Sequence, residues 1–248
     1  MSTLILNVCT VPSVDAGRAI YKLGDLSDDG AYKAMMHLQH QKNGTEFLPL
    51  NQHQIIAISV VTVDGDTVSS QTLGDENTSE TELLAQLAEL LGTVPDIVCW
   101  NGSEFDLPVI GYRLLKFGIP CPAFWDRDSF EESSSQTIDL MHALSGYSPA
   151  AAATLSEMVE VLDLAGDTGL QSLDVLEQYQ AKNLQGIRQA CEVDALNTYL
   201  IYLKYQKTRG DLSAADYDVL NTQLRQKMVA SELPHLTQFA AASWAEKQ

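Results

Sequence analysis

Five positions in this sequence have types and spacings that could do chemistry: Asp106, Asp139, Asp194, and the pair Asn7 and Cys9. On a helix, the neighbours of Asp194 at −7, −3, +4 and +7 are Ile187, Cys191, Thr198 and Ile201. That is the less polar face, so the Asp194 carboxylate is expected to point towards the core. A carboxylate there is costly unless it is paired, hydrogen-bonded or bound to a cation, so it reads either as a cation ligand or as a cap on a neighbouring loop. Asp106 falls where a strand gives way to a helix, in Trp100-Asn101-Gly102-Ser103-Glu104-Phe105-Asp106-Leu107-Pro108. It fits first a helix N-cap with proline in the first turn, and as the alternative a ligand-facing acid at the C-terminal edge of a strand. Asp139, in Thr137-Ile138-Asp139-Leu140-Met141, also reads as an N-cap. Asn7 and Cys9 lie two apart on an apolar strand and so share a face. Two carboxylates at that spacing could share a metal, whereas an amide and a thiol make a poor site for magnesium and fit ordinary sheet packing.

The elements that must position these residues follow from periodicity and caps. Leu4–Cys9 reads as a short buried strand, followed by a mostly polar excursion over 12–52. Gln54–Val63 and Thr67–Leu73, joined by Asp64-Gly65-Asp66, read as a hairpin. Ser79-x-x-Glu82 is a capping box, after which Leu83, Leu84, Leu87, Leu90 and Leu91 recur at helical spacing. Asp96–Trp100 is a further strand leading into a helix over 107–117. An acidic, serine-rich loop runs from Pro120 to Gln136, and Ile138–Leu144 begins another helix. Thr154-x-x-Glu157 caps the next, Gly166 and Gly169 break the chain after it, and long helices follow over 184–207 and 213–232. Strands come first, then mixed elements, then helices. The fold class is therefore α/β with a helical C-terminal half, one domain over 1–233 and a loose tail over 234–248.

Composition narrows the classes of function. A chain of 248 residues that is 45% apolar can bury a substantial core unaided. Its apolar runs are far shorter than a membrane span, and no signal peptide is expected from the first residues. Cys9, Cys99, Cys121 and Cys191 are scattered, which argues against a disulfide or zinc framework and for a cytoplasmic protein with reduced thiols. Thirty-three acids against fifteen bases give a net charge of −18. Nucleic-acid affinity comes largely from Lys and Arg on phosphates, so the chain starts with an electrostatic handicap there.

Three stretches in order carry a resemblance to a known family. Leu6-Asn7-Val8-Cys9-Thr10-Val11-Pro12, Val98–Pro108 and Cys191-Glu192-Val193-Asp194-Ala195-Leu196-Asn197-Thr198-Tyr199 resemble the three motifs of the DEDD (DnaQ-like) 3′–5′ exonucleases. They are closest to the branch related to the exonuclease domain of family B DNA polymerases. The resemblance runs from about residue 4 to 232 and implies an RNase H-like mixed sheet flanked by helices. It also implies Mg2+ or Mn2+ as cofactor, held by four carboxylates, and a tyrosine that orients the attacking water. Carried over residue by residue, Asp106 and Asp194 stand as the second- and third-motif acids. The first-motif acids fall on Asn7 and Cys9, and the tyrosine falls on Ala190. Asp139 is a weak further metal ligand, and Asn101, Phe105 and Arg113 are candidate substrate contacts. Glu104 and Glu192 lie near the motifs, but Glu192 is two along a helix from Asp194 and should face elsewhere.

Other positions depart from the family in the same direction. Acids fill Phe130-Glu131-Glu132-Ser133-Ser134-Ser135, where relatives carry bases; Thr137 takes the place of a His, and Gly166-Asp167 that of Gly-Lys. The leading expectation is therefore an exonuclease-like protein of nucleic-acid-binding ancestry that has lost hydrolysis. The alternatives are an active metal-dependent 3′–5′ exonuclease on single-stranded DNA with a non-standard metal site, and a protein-interaction scaffold. Expected partners are a single-stranded DNA 3′ end or a protein, and no membrane.

Overall fold

The computed structural model describes residues 2–65, 67–94, 96–126, 136–164 and 175–243. The central strand, β1 (Ser2–Pro12), pairs antiparallel with β2 (His53–Asp64), which turns back antiparallel into β3 (Thr67–Thr72). On its other side β1 runs parallel to β4 (Asp96–Cys99), and β4 runs parallel to β5 (Thr137–Asp139). The sheet order is β3-β2-β1-β4-β5. The expected hairpin is present, and the strand expected over Leu4–Cys9 extends to Pro12.

Both faces of the sheet are covered, which is why β1 and β2 read as nearly continuous apolar runs. Leu4, Leu6 and Val8 face α3 (Glu80–Leu91), α4 (Asp106–Phe117) and the short α5 (Pro122–Trp125) in one core. Ile5 lies in the other core, against α9 (Leu184–Arg209), α10 (Ala214–Ala230) and α11 (Pro234–Ser243). The capping boxes at Ser79 and Thr154 both form, starting α3 and α7 (Leu155–Val161). Gly210, at φ 83°, ends α9 in the left-handed region that glycine adopts without strain.

Several expectations are corrected. The polar excursion after β1 contains two helices, α1 (Val14–Tyr21) and α2 (Asp28–Asn43), with Ser13 and Ser27 as side-chain caps. Thr137–Asp139 is a strand, so the helix expected to begin at Ile138 begins at Leu140 as α6 (Leu140–Ser145). Residues 234–243 are not a loose tail. α11 buries Leu236, Phe239 and Ala240 in the second core, and apolar burial of that size holds a terminus down. The acidic stretch over 127–135 and the Gly166 to Gly169 break lie outside the described residues. A six-residue helix, α8 (Val175–Gln180), precedes α9. Among the described residues no helix is long and apolar enough to cross a membrane.

Candidate active site

The site lies where β1 and β4 part. Their parallel ladder stops at Ile5 and Val98, so the Val8 N–H on the outgoing half of β1 has no ladder partner there. Asp106 supplies one: its Oδ1 accepts from Val8 N at 3.0 Å. Asp106 is therefore not the cap of α4. It is the first residue of that helix, Phe105 stands at the cap position without a side-chain bond, and the carboxylate reaches back to the sheet. The turn that allows this is tight. Asn101 sits at φ 59°, and a Cβ on Gly102 would lie 2.4 Å from the Cys99 Sγ, so only glycine fits between β4 and α4.

Asp139 is the cap that its sequence suggested. Its Oδ1 accepts from Met141 N and His142 N at the start of α6, and also from Asn101 N at 3.0 Å. Its Oδ2 accepts from Ser103 N at 2.9 Å. Both oxygens thus hold backbone, and Asp139 fixes the 101–103 turn rather than presenting a free carboxylate. Asp194 is half-buried on the inner side of α9, among Ile187, Cys191, Thr198 and Ile201, which are all buried. Among the described residues no donor reaches its carboxylate. Glu192 faces away as expected, accepting from Ser70 Oγ and pairing with His235 at 3.0 Å. Glu104 is exposed, 3.3 Å from His142 Nε2.

The first-motif positions face α9. Asn7 Nδ2 donates to the Cys191 carbonyl at 3.3 Å and lies 3.5 Å from the Cys191 Sγ. Cys9, one pleat on, is half-buried and packs against the cluster of Ala57, Ile187 and Cys191. Cys191 is the residue of this site that the motif comparison passes over. Its place three residues before Asp194, on the same inward face, was the available signal. Ala190 is half-buried and carries no polar side-chain atom.

The electrostatics follow from burial. Desolvation pushes the Asp106 carboxyl up to about 8, partly opposed by the Val8 N–H and reinforced by the nearby Asp139 and Asp194 carboxylates. Burial alone pushes Asp194 up to about 7. Because folding raises the Asp106 pKa, its contribution to stability is fully present below the ordinary value near 3.8 and is lost as pH rises through 8. Asp106→Asn keeps the acceptor for Val8 N and removes the charge. Its stability relative to wild type should therefore climb between pH 4 and pH 8, by about 5 kcal/mol at most. Urea titrations at pH 5 and pH 9 check this; an equal gap at both would mean the carboxylate is not desolvated.

The candidate substrate contacts separate. Phe105 is half-buried and packs edge-on to His53, with Phe47 beside both rings at centroid distances of 5.4–6.1 Å. Phe47 is 57% exposed, so a ring stands open beside Phe105, the residue before Asp106. The Asn101 Oδ1 is buried with no partner among the described residues. Arg113 does not reach a groove. It is 3% exposed and pairs with Glu80 of α3, so it is not a cation free to contact substrate.

Residues 45–243 match the family described as predicted 3′–5′ exonucleases related to the exonuclease domain of PolB. The chain belongs to that family. The matched span includes Asp106, Asp139, Ala190 and Asp194 and leaves out the strand that carries Asn7 and Cys9. In fold, this PolB-related exonuclease relative is similar to the structure of the family B DNA polymerase from the hyperthermophilic archaeon Pyrobaculum calidifontis. The TM-score is 0.54 at 13% identity, over 98% of this chain and 27% of the polymerase chain. The chain thus spans about a quarter of that polymerase's length, and the likeness establishes the RNase H-like fold. A comparison with curated proteins returned no match.

Exonucleases of this kind generally use divalent metals, and the donors here do not fit a metal pair. No group of three or more His, Cys, Asp or Glu side chains with metal-site geometry occurs among the described residues. The Asn7 amide turns its N–H to Cys191, Asp139 spends both oxygens on backbone, and Cys9 offers a soft ligand that magnesium disfavours.

Proposed function

We propose that this chain is a non-hydrolysing member of the PolB-related exonuclease family, a pseudo-exonuclease that keeps the fold as a binding protein. The observation that carries the reading is the Asn7 side chain. Where the family has an acid that ligates cations, this chain has a donor whose amide N–H satisfies the Cys191 carbonyl on α9. A carboxylate in that place would set oxygen against oxygen unless a cation lay between them. Asparagine is the side chain that closes this strand–helix contact with no cation at all. The loss of an aromatic hydroxyl at Ala190 and of an acid at Cys9 acts on the same reaction. The ligand that suits what remains is an unpaired 3′ end of nucleic acid, whose bases can stack on the exposed Phe47 ring and its neighbours.

The test uses wild-type protein and a 5′-labelled single-stranded oligonucleotide, run on a gel with Mg2+ and with Mn2+, alongside an anisotropy titration of the same strand. The expected result is binding without shortened products. A metal-dependent ladder that disappears in Asp106→Ala would instead establish an active exonuclease with a non-standard metal site. Neither cleavage nor binding would move the function to a protein partner.

A further inference from the structure

We propose that Cys9 and Cys191 form a dithiol that oxidises to a disulfide, giving this chain a covalent link between β1 and α9. Both cysteines are free thiols in the structure. Ala57, Ile187 and Cys191 make one small buried cluster, and Cys9 packs against it from the strand. Cys9 lies opposite Ala57, immediately before the register shift in the β1–β2 pair, which fixes the direction of its side chain. Asn7, on the same face one pleat earlier, brackets the other sulfur: its Nδ2 and its carbonyl each lie 3.5 Å from Cys191 Sγ. The two cysteines therefore meet in one small cluster between two elements that are in contact, the neighbourhood a disulfide requires. The other cysteines are placed elsewhere. Cys121 is in the core on the opposite face of the sheet, and the Cys99 Sγ turns to the Ile138 carbonyl.

The chemistry balances with a hydroperoxide as oxidant. The Cys9 sulfur, on the less buried residue of the two, attacks the O–O bond of hydrogen peroxide, becoming a sulfenic acid as one water leaves. The Cys191 sulfur then attacks the Cys9 sulfur and loses its proton, and the S–O bond breaks to release the second water. Two thiols and one peroxide give one disulfide and two waters. The Cys9 thiol is held well above its ordinary range by its hydrogen bond to Cys191, by burial, and by the Asp194 and Asp106 carboxylates. The thiolate is the attacking form, so the reaction is faster in mild alkali. The bond would close a loop spanning most of the chain, the case in which a cross-link restricts the unfolded chain most. The inference does not depend on the absence of hydrolysis, because the thiol contact is the same in either reading.

The full chain, reduced and desalted, is incubated with a small excess of hydrogen peroxide at mildly alkaline pH. It is then followed by intact mass, thiol titration, non-reducing peptide mapping and melting temperature. Expected are a mass loss of about 2 Da for the two hydrogens removed, a fall from four titratable thiols to two, and one linked peptide joining Cys9 to Cys191. The melting temperature should rise and return on reduction. Cys9→Ser and Cys191→Ser should each abolish the linked peptide. A linked peptide containing Cys99 or Cys121, oxygen added to Cys9 with Cys191 still a thiol, or four thiols surviving the treatment overturns the proposal. The wild-type peptide map decides this even where a variant folds poorly. Nuclease assays on the reduced protein test the non-hydrolysing reading separately.

Discussion

A variant carrying Asn7→Asp, Cys9→Glu and Ala190→Tyr together is expected to shorten a 5′-labelled single strand from its 3′ end in Mg2+ or Mn2+, where wild type leaves it intact. The scaffold for this is present: the Asp106 carboxylate is anchored to β1 through Val8, and Asp194 projects from α9 with no competing donor among the described residues. Ala190 stands one helical turn before Asp194 on α9 and is only half-buried. All three changes are needed at once, because groups that act on one step are strongly non-additive. Charge stabilisation of several kcal/mol corresponds to a rate gap of more than about 10³-fold between variant and wild type. The same variant carries an internal control. Without cations its new carboxylate at position 7 faces the Cys191 carbonyl, so its melting temperature should rise on adding Mg2+ while that of wild type stays put. A variant that gains the thermal shift but cuts nothing would mean that the strand no longer reaches the site. One that gains neither would show that β1 and α9 cannot close around cations.

What the sequence disclosed and what it withheld divide by range. The capping boxes at Ser79 and Thr154 are settled within four residues, and both form as read. The motif order is also a local signal, and it led to the right fold. Asp106 shows the limit. Its neighbours favoured a helix cap, whereas its actual partner, Val8, is 98 positions away and was left unpaired by the end of a parallel ladder. No local pattern announces where a ladder stops. β5 is three residues long, too short for alternation to register, yet it carries Asp139 into the site. α11 did offer a signal, with proline at its first position and Leu236, Phe239 and Ala240 at helical spacing, but an apolar face that short acquires meaning only against α9 and α10. Cys191 was visible on the inward face of its helix. That it shares a cluster with Cys9 depends on how β1 lies under α9, which periodicity does not encode.

Arg113 makes a large stability prediction and separates two readings of one residue. Its guanidinium donates through Nε and Nη2 to the two carboxylate oxygens of Glu80, and Glu80 Oε1 also accepts from Ile55 N at 2.7 Å. The pair therefore fastens α3 and α4 to β2, with side chains only 3% and 7% exposed. Removing one partner of a buried pair leaves the other charged in a poor solvent, so Arg113→Ala should cost about 3–5 kcal/mol. For a chain of this size that is a fall in melting temperature of about 10 °C. The double variant Arg113→Met with Glu80→Gln should recover most of the loss. The glutamine oxygen still accepts from Ile55 N, the methionine refills the volume, and no unpaired charge remains. A cation that served a nucleic-acid strand from the surface would behave in the opposite way, with Arg113→Ala weakening binding and leaving the melting temperature unchanged. The double variant would then be no more stable than the single one. The 2.7 Å bond from Arg113 Nε to Glu80 Oε1, inside the core, selects the first outcome.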